Sequence, residues 1–174
     1  LVFGKQDMIM GPELLEAVTK SLEDYFGVEI TISDVKLLSE PDRRNRIARL
    51  FLSLGNNEMR SVIFKQSLSD KTQETTDDDI LARFARDFAG LKFLNRSDIN
   101  HSIPKFLGAN QDFRFILLED LGDTHISLVD SLTKSDPDKA IAALKRFTKS
   151  LAYFHRASYG RLNDYDELSV SYTH

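Results

Sequence analysis

The chain has 174 residues and a formal net charge of −4, with 41% hydrophobic and 29% charged residues. This composition is typical of a globular domain, and the negative charge argues against nucleic acid or an acidic membrane surface as a partner. Cysteine is absent and the four histidines lie far apart. We therefore expect no disulfide and no zinc site, and a reducing compartment such as the cytoplasm fits the protein. No apolar stretch approaches the roughly 20 residues of a membrane-spanning helix.

The first part of the chain predicts one helix and three strands. Residues 12–26 carry apolar side chains at helical spacing, between a proline and a glycine that suit the two helix ends. Residues 28–38, 46–54 and 60–66 have the composition or the alternation of strands, and polar turns separate them. Short turns between consecutive strands favour antiparallel pairing.

A polar and acidic stretch at residues 67–79 predicts a loop. Three aspartates at its end suit the positive N-terminus of a helix that runs to residue 95. The apolar stripe of this helix consists of Ile80, Phe84, Phe88, Leu91 and Leu94. Helical spacing places the carboxylate of Asp87 near the centre of that stripe, where water is scarce.

The last part predicts two more strands and a long helix. The strands cover residues 103–107 and 114–118 around a turn at 108–112, and the helix covers residues 137–157. In the tail from residue 159 to 174 the apolar residues show neither helical nor strand spacing.

Together these elements predict an α+β fold, with about five antiparallel strands, a helix packed on the sheet, and further helices after it. We expect a first part at residues 1–120 and a second part at residues 121–174. Gly122, Asp123 and Ser131 lie between Asp120 and Asp136, and together with Pro137 they mark the boundary.

Lys65 ends an apolar run, Val62-Ile63-Phe64-Lys65. Side chains alternate along a strand, so Ile63 and Lys65 share one face. A charge in such a place is costly unless it is paired, and we therefore expect Lys65 to pair with Asp87. In kinases, a strand lysine paired with a helix carboxylate holds the phosphates of ATP, and a base would pack over Ile63. Taken alone, Lys65 also suits a strand edge where its ammonium reaches water, and Asp87 suits a solvated helix face.

The predicted strand at 114–118 runs into an acidic connector that ends in a glycine, Glu119-Asp120-Leu121-Gly122. Extended backbone there offers a carbonyl and an N–H about two residues apart, as the edge of adenine requires. Without the other elements, a strand followed by an ordinary turn is the favoured interpretation of this segment.

Five segments, in order, resemble motifs of the aminoglycoside phosphotransferase and choline kinase-like family. The resemblance covers roughly residues 25–160, and the match at the acidic connector is the most specific. The segments are Val62-Ile63-Phe64-Lys65, Arg86-Asp87 with Leu91, Ile103-Pro104-Lys105-Phe106-Leu107, Leu117-Leu118-Glu119-Asp120-Leu121-Gly122 and Leu151-Ala152-Tyr153-Phe154-His155.

The resemblance implies a kinase-like N-terminal lobe that binds ATP, followed by a hinge and the first helices of a C-terminal lobe. It implies ATP and Mg²⁺ as cofactors and the hydroxyl of a small molecule as phosphate acceptor. Lys65 would contact the α and β phosphates, with Asp87 in place of the usual glutamate. The Glu119 carbonyl and the Leu121 N–H would meet adenine, and Leu118 would lie at the back of the pocket.

Three departures from the family pattern limit what the resemblance implies. Asp87 is one methylene shorter than a glutamate. The turn at 39–45, which would cover the phosphates, has no glycine. Arg43 and Arg44, with Arg46, could bind phosphate there through side chains, although solvated surface arginines are the plainer interpretation.

The third departure concerns catalysis, since the family's His-Gly-Asp loop and its later magnesium aspartate are not in the sequence. We therefore expect no catalytic or metal-binding residue in this chain, an incomplete C-terminal lobe, and no activity of the chain alone. An apolar face on the helix at 137–157 would then be exposed and would favour self-association. We expect His155 to be partly buried and to bond a carbonyl rather than to act as a base.

Two alternatives remain open at this point. A non-catalytic nucleotide-binding or protein-interaction module of the same fold would also lack the catalytic loop. An unrelated α+β protein would carry Lys65 and Asp87 at these positions by coincidence. The separation between the two side chains distinguishes the kinase-like interpretations from the unrelated fold, because an ion pair requires about 4 Å or less.

Overall fold

The computed structural model describes residues 10–40, 43–56, 58–69, 76–96, 103–125, 127–134 and 136–170, the side chains of 169 and 170 excepted. Five helices and five strands lie within these ranges. In chain order they are α1 (Pro12–Phe26), β1 (Ile30–Leu37), β2 (Asn45–Leu54), β3 (Met59–Ser67), α2 (Asp77–Arg96), β4 (Phe106–Asn110), β5 (Phe115–Glu119), α3 (Leu128–Thr133), α4 (Pro137–Ser158) and α5 (Leu162–Val170). The predicted α+β class is confirmed.

The five strands form one antiparallel sheet in the order β1-β2-β3-β5-β4. The first three strands form a meander, as their short turns predict. Helix α2 follows β3 and leads to the edge strand β4, and β5 then returns between β4 and β3. The centre of the sheet is therefore β3, the strand that carries Lys65.

Helix α1 covers one face of the sheet. Its buried residues Leu14, Val18 and Leu22 recur at helical spacing, and they join alternate residues of the strands in the main hydrophobic core. Leu50 of β2 and Phe64 of β3 lie in that core and have no exposed surface. Burial of this face fixes the register of every strand, because a slip by one residue would turn the apolar set outward.

Helix α2 covers part of the other face. Phe84 and Phe88 pack on Ile116 of β5, with Leu118 at the margin. Residues that lie opposite one another in the ladder share a face, and six such residues define what we name the α2 face of the sheet. They are Ile47, Arg49, Ile63, Lys65, Ile116 and Leu118.

Helix α5 packs on the side of α2 that is turned away from the sheet. Leu168 lies in a cluster with Ala89 and Phe93, and the ring of Tyr165 packs edge-on against Phe93. The sequence did not predict this helix, because its nine residues show no strong apolar period and its position depends on this tertiary contact.

Two other elements differ from the sequence predictions. Strand β4 begins at Phe106 rather than at residue 103, and it includes three residues assigned to the turn. Pro104 has no N–H to give to a ladder, and Asn110 Oδ1 accepts the Phe113 N–H, which places the turn later. The short helix α3, which Ser127 caps, was also not predicted.

Helix α4 has the predicted bounds within one residue and a largely uncovered apolar stripe. Leu144, Phe147 and Leu151 are 46%, 46% and 41% exposed, and Ala143 is the buried residue of this helix. Self-association through this stripe stays a prediction. The expectation for His155 is wrong, since its side chain is exposed on the flank of the stripe. In the described part of the chain, no helix combines the length and apolar character needed to cross a membrane.

Candidate functional site

The predicted ion pair between β3 and α2 is present. Lys65 Nζ lies 2.6 Å from Asp87 Oδ2 and donates a hydrogen bond to it. The two side chains are 25% and 34% exposed, so each is partly withdrawn from water while its charged end stays accessible. The pair joins the central strand to the helix that follows it, and the shorter aspartate makes the contact without an intervening group.

Asp87 lies at the edge of the buried face of α2, and the prediction that it lies at the centre is wrong. The buried residues of this helix extend around to Ala85, Ala89 and Phe93. This happens because α5 covers that side of α2, as the sequence did not indicate. An edge position leaves Asp87 oriented toward the open part of the α2 face, where Lys65 lies.

Apolar side chains surround Lys65 on the α2 face. In the ladder Lys65 lies between Ile47 of β2 and Ile116 of β5, and Ile63 lies opposite Leu118. Ile116 is buried under α2, whereas Ile47, Ile63 and Leu118 keep part of their surface. The ammonium therefore stands beside an apolar floor that α2 leaves partly open.

The connector leaves the sheet beside this floor. Glu119 is the last residue of β5; its N–H donates to the Lys105 carbonyl, and its carboxylate accepts the Lys105 N–H. Leu121 is 43% exposed, and Gly122 adopts a left-handed φ of 74°. The sheet and connector thus bring Ile63, Lys65, Leu118 and the 119–121 backbone to one region, with Asp87 above it.

Arg43 and Arg44 lie in the turn between β1 and β2. Arg43 Nη2 is 2.9 Å from Glu40 Oε2 in an exposed ion pair, and the exposed Arg44 accepts the Leu68 N–H through its carbonyl. A cavity of about 430 Å³ lies between this turn and Ile47, the ladder partner of Lys65. Residues 41 and 42 of the turn lie outside the described residues. Contact of Arg43 or Arg44 with phosphate stays a prediction.

Arg46 has a structural partner, since its Nη1 donates to Gln66 Oε1 at 3.3 Å. The other side of the connector borders a second cavity, of about 310 Å³, between Asp120 and the end of α1 at Tyr25. Lys65 lines neither of these two cavities; the first adjoins its ladder partner Ile47, and the second is separate from the region that the sequence predicted.

A second charged group holds the connector, and we name it the Arg49 clamp, which consists of Arg49, Asp120 and Asp123. Arg49 Nη1 donates to both carboxylate oxygens of Asp123, at 2.9 and 3.1 Å, and Nη2 donates to Asp120 Oδ1 at 3.1 Å. Arg49 Nε is 2.6 Å from Asp120 Oδ2, an ion-pair contact without the alignment of a hydrogen bond. The Arg49 and Asp120 side chains are 10% and 4% exposed, and Asp123 is 82% exposed.

The surroundings of Asp120 favour its charged form. Burial raises the pKa of this carboxyl, but hydrogen bonds from the Ser61 hydroxyl, the Gly122 N–H and the Arg49 guanidinium together outweigh burial, so the pKa lies below its ordinary value. Hydrogen bonds to Asp120 and Asp123 raise the pKa of Arg49. Both groups are therefore charged at neutral pH.

Sequence reasoning missed the Arg49 clamp although a signal was present. Arg49 interrupts an apolar strand between Ala48 and Leu50, just as Lys65 does in β3. The acidic residues on the two sides of Gly122, Asp120 and Asp123, are the partners that Arg49 needs. The rule that a charge in an apolar strand needs a partner applies to both positions, and it was applied only to Lys65.

The comparisons with known proteins add no family assignment. No protein-family model matches the chain, and no curated protein gives a significant match. Functional inference therefore depends on the geometry of the site.

Proposed function

We propose that this chain is the ATP-binding portion of a phosphotransferase that moves the γ-phosphate of ATP to a hydroxyl of a small molecule. The observation that carries the proposal is the 2.6 Å ion pair between Lys65 on β3 and Asp87 on the following helix. Protein kinases place the lysine that binds the ATP phosphates on the third strand and pair it with a carboxylate from the next helix. The α+β fold with a central β3 supports the same conclusion.

The Lys65 ammonium suits a phosphate ligand. An ammonium has three donors, and in the described part of the chain one of them is used, by Asp87. The side chain remains 25% exposed, and in the proposed complex the other two donors would bind phosphate oxygens. Asp87 fixes the direction of the ammonium and balances its charge when no ligand is present.

The purine would pack on the apolar floor formed by Ile63 with Leu118 behind it. The Glu119 carbonyl and the Leu121 N–H follow at the edge of the sheet, and a donor next to an acceptor at this spacing suits adenine. Arg43 and Arg44 would lie at the phosphate end, because their turn adjoins Ile47.

The grounds for Mg²⁺ and for the phosphate acceptor differ from those for ATP. Among the residues that the structure describes, no group of three or more His, Cys, Asp or Glu side chains is placed to hold a metal ion. Mg²⁺ as a cofactor therefore rests on the resemblance alone. The acceptor class, a small-molecule hydroxyl, comes from the resemblance alone. A cytoplasmic location is part of the proposal, and the cysteine-free sequence fits it.

Isothermal titration of the chain with ATP tests the proposal. We expect saturable binding by the natural sequence. Lys65→Met should weaken it about tenfold or more, because hydrogen bonds to a charged group contribute about 1.5–3 kcal/mol. Asp87→Asn should weaken it less, because the ammonium stays but loses its fixed direction.

Lys20→Met is the matched control, since it removes the same charge from the exposed side of α1, on the opposite face of the sheet. This variant should bind ATP as the natural sequence does. The absence of ATP binding by the natural sequence would reject the proposal, and so would equal effects of Lys65→Met and Lys20→Met. Binding without phosphate transfer by any longer protein that contains this chain would favour the non-catalytic nucleotide-binding module.

A further inference from the structure

We propose that Arg49 is a positioning residue for the purine, which acts by fixing the connector backbone around Leu121. The inference rests on the proposed nucleotide site and adds a residue that neither the sequence motifs nor the resemblance indicated. It starts from the direction of the Arg49 side chain. Arg49 lies opposite Ile63 on the α2 face, yet its guanidinium contacts Asp120, which follows β5. The side chain therefore crosses β3 on the α2 face, from β2 toward the connector.

One carboxylate oxygen links the arginine to the connector backbone. Asp120 Oδ1 accepts a hydrogen bond from Arg49 Nη2 at 3.1 Å and another from the Gly122 N–H at 2.9 Å. The second bond closes an Asx turn around Leu121, and Gly122, at the end of the turn, continues the chain with a left-handed φ of 74°. The Ser61 hydroxyl holds the same carboxylate from β3. Arg49 thus orients the group that shapes the turn.

The turn leaves one donor available. Within the described residues the Leu121 N–H has no hydrogen-bond partner, and the residue is 43% exposed. This is the N–H that the proposed function assigns to the purine. A backbone donor held in a fixed direction binds more tightly than one in a mobile loop, because the cost of ordering it is met in the free protein.

The guanidinium itself is not placed to bind phosphate. Both of its Nη atoms donate to the carboxylates of Asp120 and Asp123, and two carboxylates outnumber the single positive charge. Arg49 therefore acts at the purine end of the site, whereas Lys65 acts at the phosphate end. Loss of Arg49 should therefore weaken the binding of any ligand that carries adenine, whereas loss of Lys65 should weaken only ligands that carry phosphates.

Titrations with adenosine and with ATP separate the two roles. Arg49→Met should weaken the binding of both ligands by the same factor, about fivefold or more, because the ligand must then order the connector as it binds. Lys65→Met should weaken the binding of ATP and leave the binding of adenosine unchanged. Arg60→Met is the matched control: Arg60 is a half-exposed arginine of the adjacent strand, and its loss should change neither affinity.

A spectroscopic signature distinguishes positioning from a general loss of stability. In ¹H–¹⁵N NMR spectra the Leu121 amide should shift on addition of adenosine to the natural sequence, and this shift should be lost in folded Arg49→Met. If Arg49→Met does not fold, Gly122→Ala tests the inference in its place. A Cβ at Gly122 meets no atom within 4 Å, so this variant strains the turn without a steric clash. Gly122→Ala should weaken the binding of adenosine and of ATP by equal factors.

The outcomes separate the inference from the proposed function. If the natural sequence binds both ligands, and the folded Arg49 and Gly122 variants bind adenosine unchanged, the positioning role is overturned and the nucleotide site stands. Loss of ATP binding alone in these variants also overturns it. If the natural sequence binds neither ligand, the proposed function fails, and the inference fails with it.

Discussion

Arg49 has two carboxylate partners at similar distances, and their different exposure predicts very different contributions to stability. Asp120 is 4% exposed and Asp123 is 82% exposed. Breaking a buried pair leaves an uncompensated charge and costs about 3–5 kcal/mol. Asp123 stays beside the arginine after Asp120→Ala, so we expect the lower end of that range, about 3 kcal/mol. Asp123→Ala removes an exposed partner and should cost at most about 1 kcal/mol.

Urea unfolding at neutral pH measures both values as the free energy of unfolding, provided that the slope with urea is unchanged. For a chain of this size 1 kcal/mol moves the melting temperature by about 2–4 °C, so Asp120→Ala should lower it by about 6–12 °C. Glu40→Ala is the control, because it breaks an arginine–carboxylate pair of 2.9 Å in which both side chains are exposed. Equal losses of unfolding free energy for Asp120→Ala and Asp123→Ala would refute the claim that the buried partner contributes more than the exposed one.

Three further predictions concern pH, packing and a helix end. The depressed pKa of Asp120 stabilises the folded chain above the ordinary carboxyl pKa of about 3.9, and this contribution is lost as the pH falls from that value through the lower pKa of the folded state. Unfolding free energies should therefore fall more steeply below about pH 4 for the natural sequence than for Asp120→Asn, and parallel curves would contradict this. Phe88→Ala should cost about 3–5 kcal/mol in the same assay because Phe88 of α2 is buried against the sheet, while the half-exposed Phe147 should tolerate alanine within about 0.5 kcal/mol. Similar values for the two would show that the core assignment is wrong. Gly27→Ala should cost about 1–2 kcal/mol because Gly27 ends α1 with a φ of 69°, and a neutral effect would exclude this left-handed cap.

Local patterns predicted the elements whose apolar period is strong. Helix α1 has the predicted bounds, and the strands around Leu50 and Phe64 differ from prediction by at most one residue at each end. Their alternation is dictated by a face that α1 buries. The errors fall where tertiary contacts decide the structure. Helix α5 exists because Leu168 and Tyr165 pack on α2, and nothing within its own sequence shows this.

The Lys65–Asp87 ion pair could be predicted from the sequence and the Arg49 clamp was not, because the two groups differ in how far apart their residues lie along the chain. Lys65 and Asp87 are separated by one strand end and one helix, so helical and strand periods alone indicate that they can meet. Arg49 and its partners are 71 and 74 residues apart. Their contact requires β5 to lie next to β3, and that pairing follows from the sheet order rather than from any local pattern. The chemical role of both groups stays a prediction until binding is measured.

The central claim is that Lys65, held by Asp87, binds the phosphates of a nucleotide on the α2 face. The most direct test is a crystal structure of the chain with a non-hydrolysable ATP analogue. The account predicts a Lys65 Nζ within about 3 Å of an α- or β-phosphate oxygen and a base packed over Ile63. An analogue bound elsewhere on the protein, with the phosphates remote from Lys65, would contradict it.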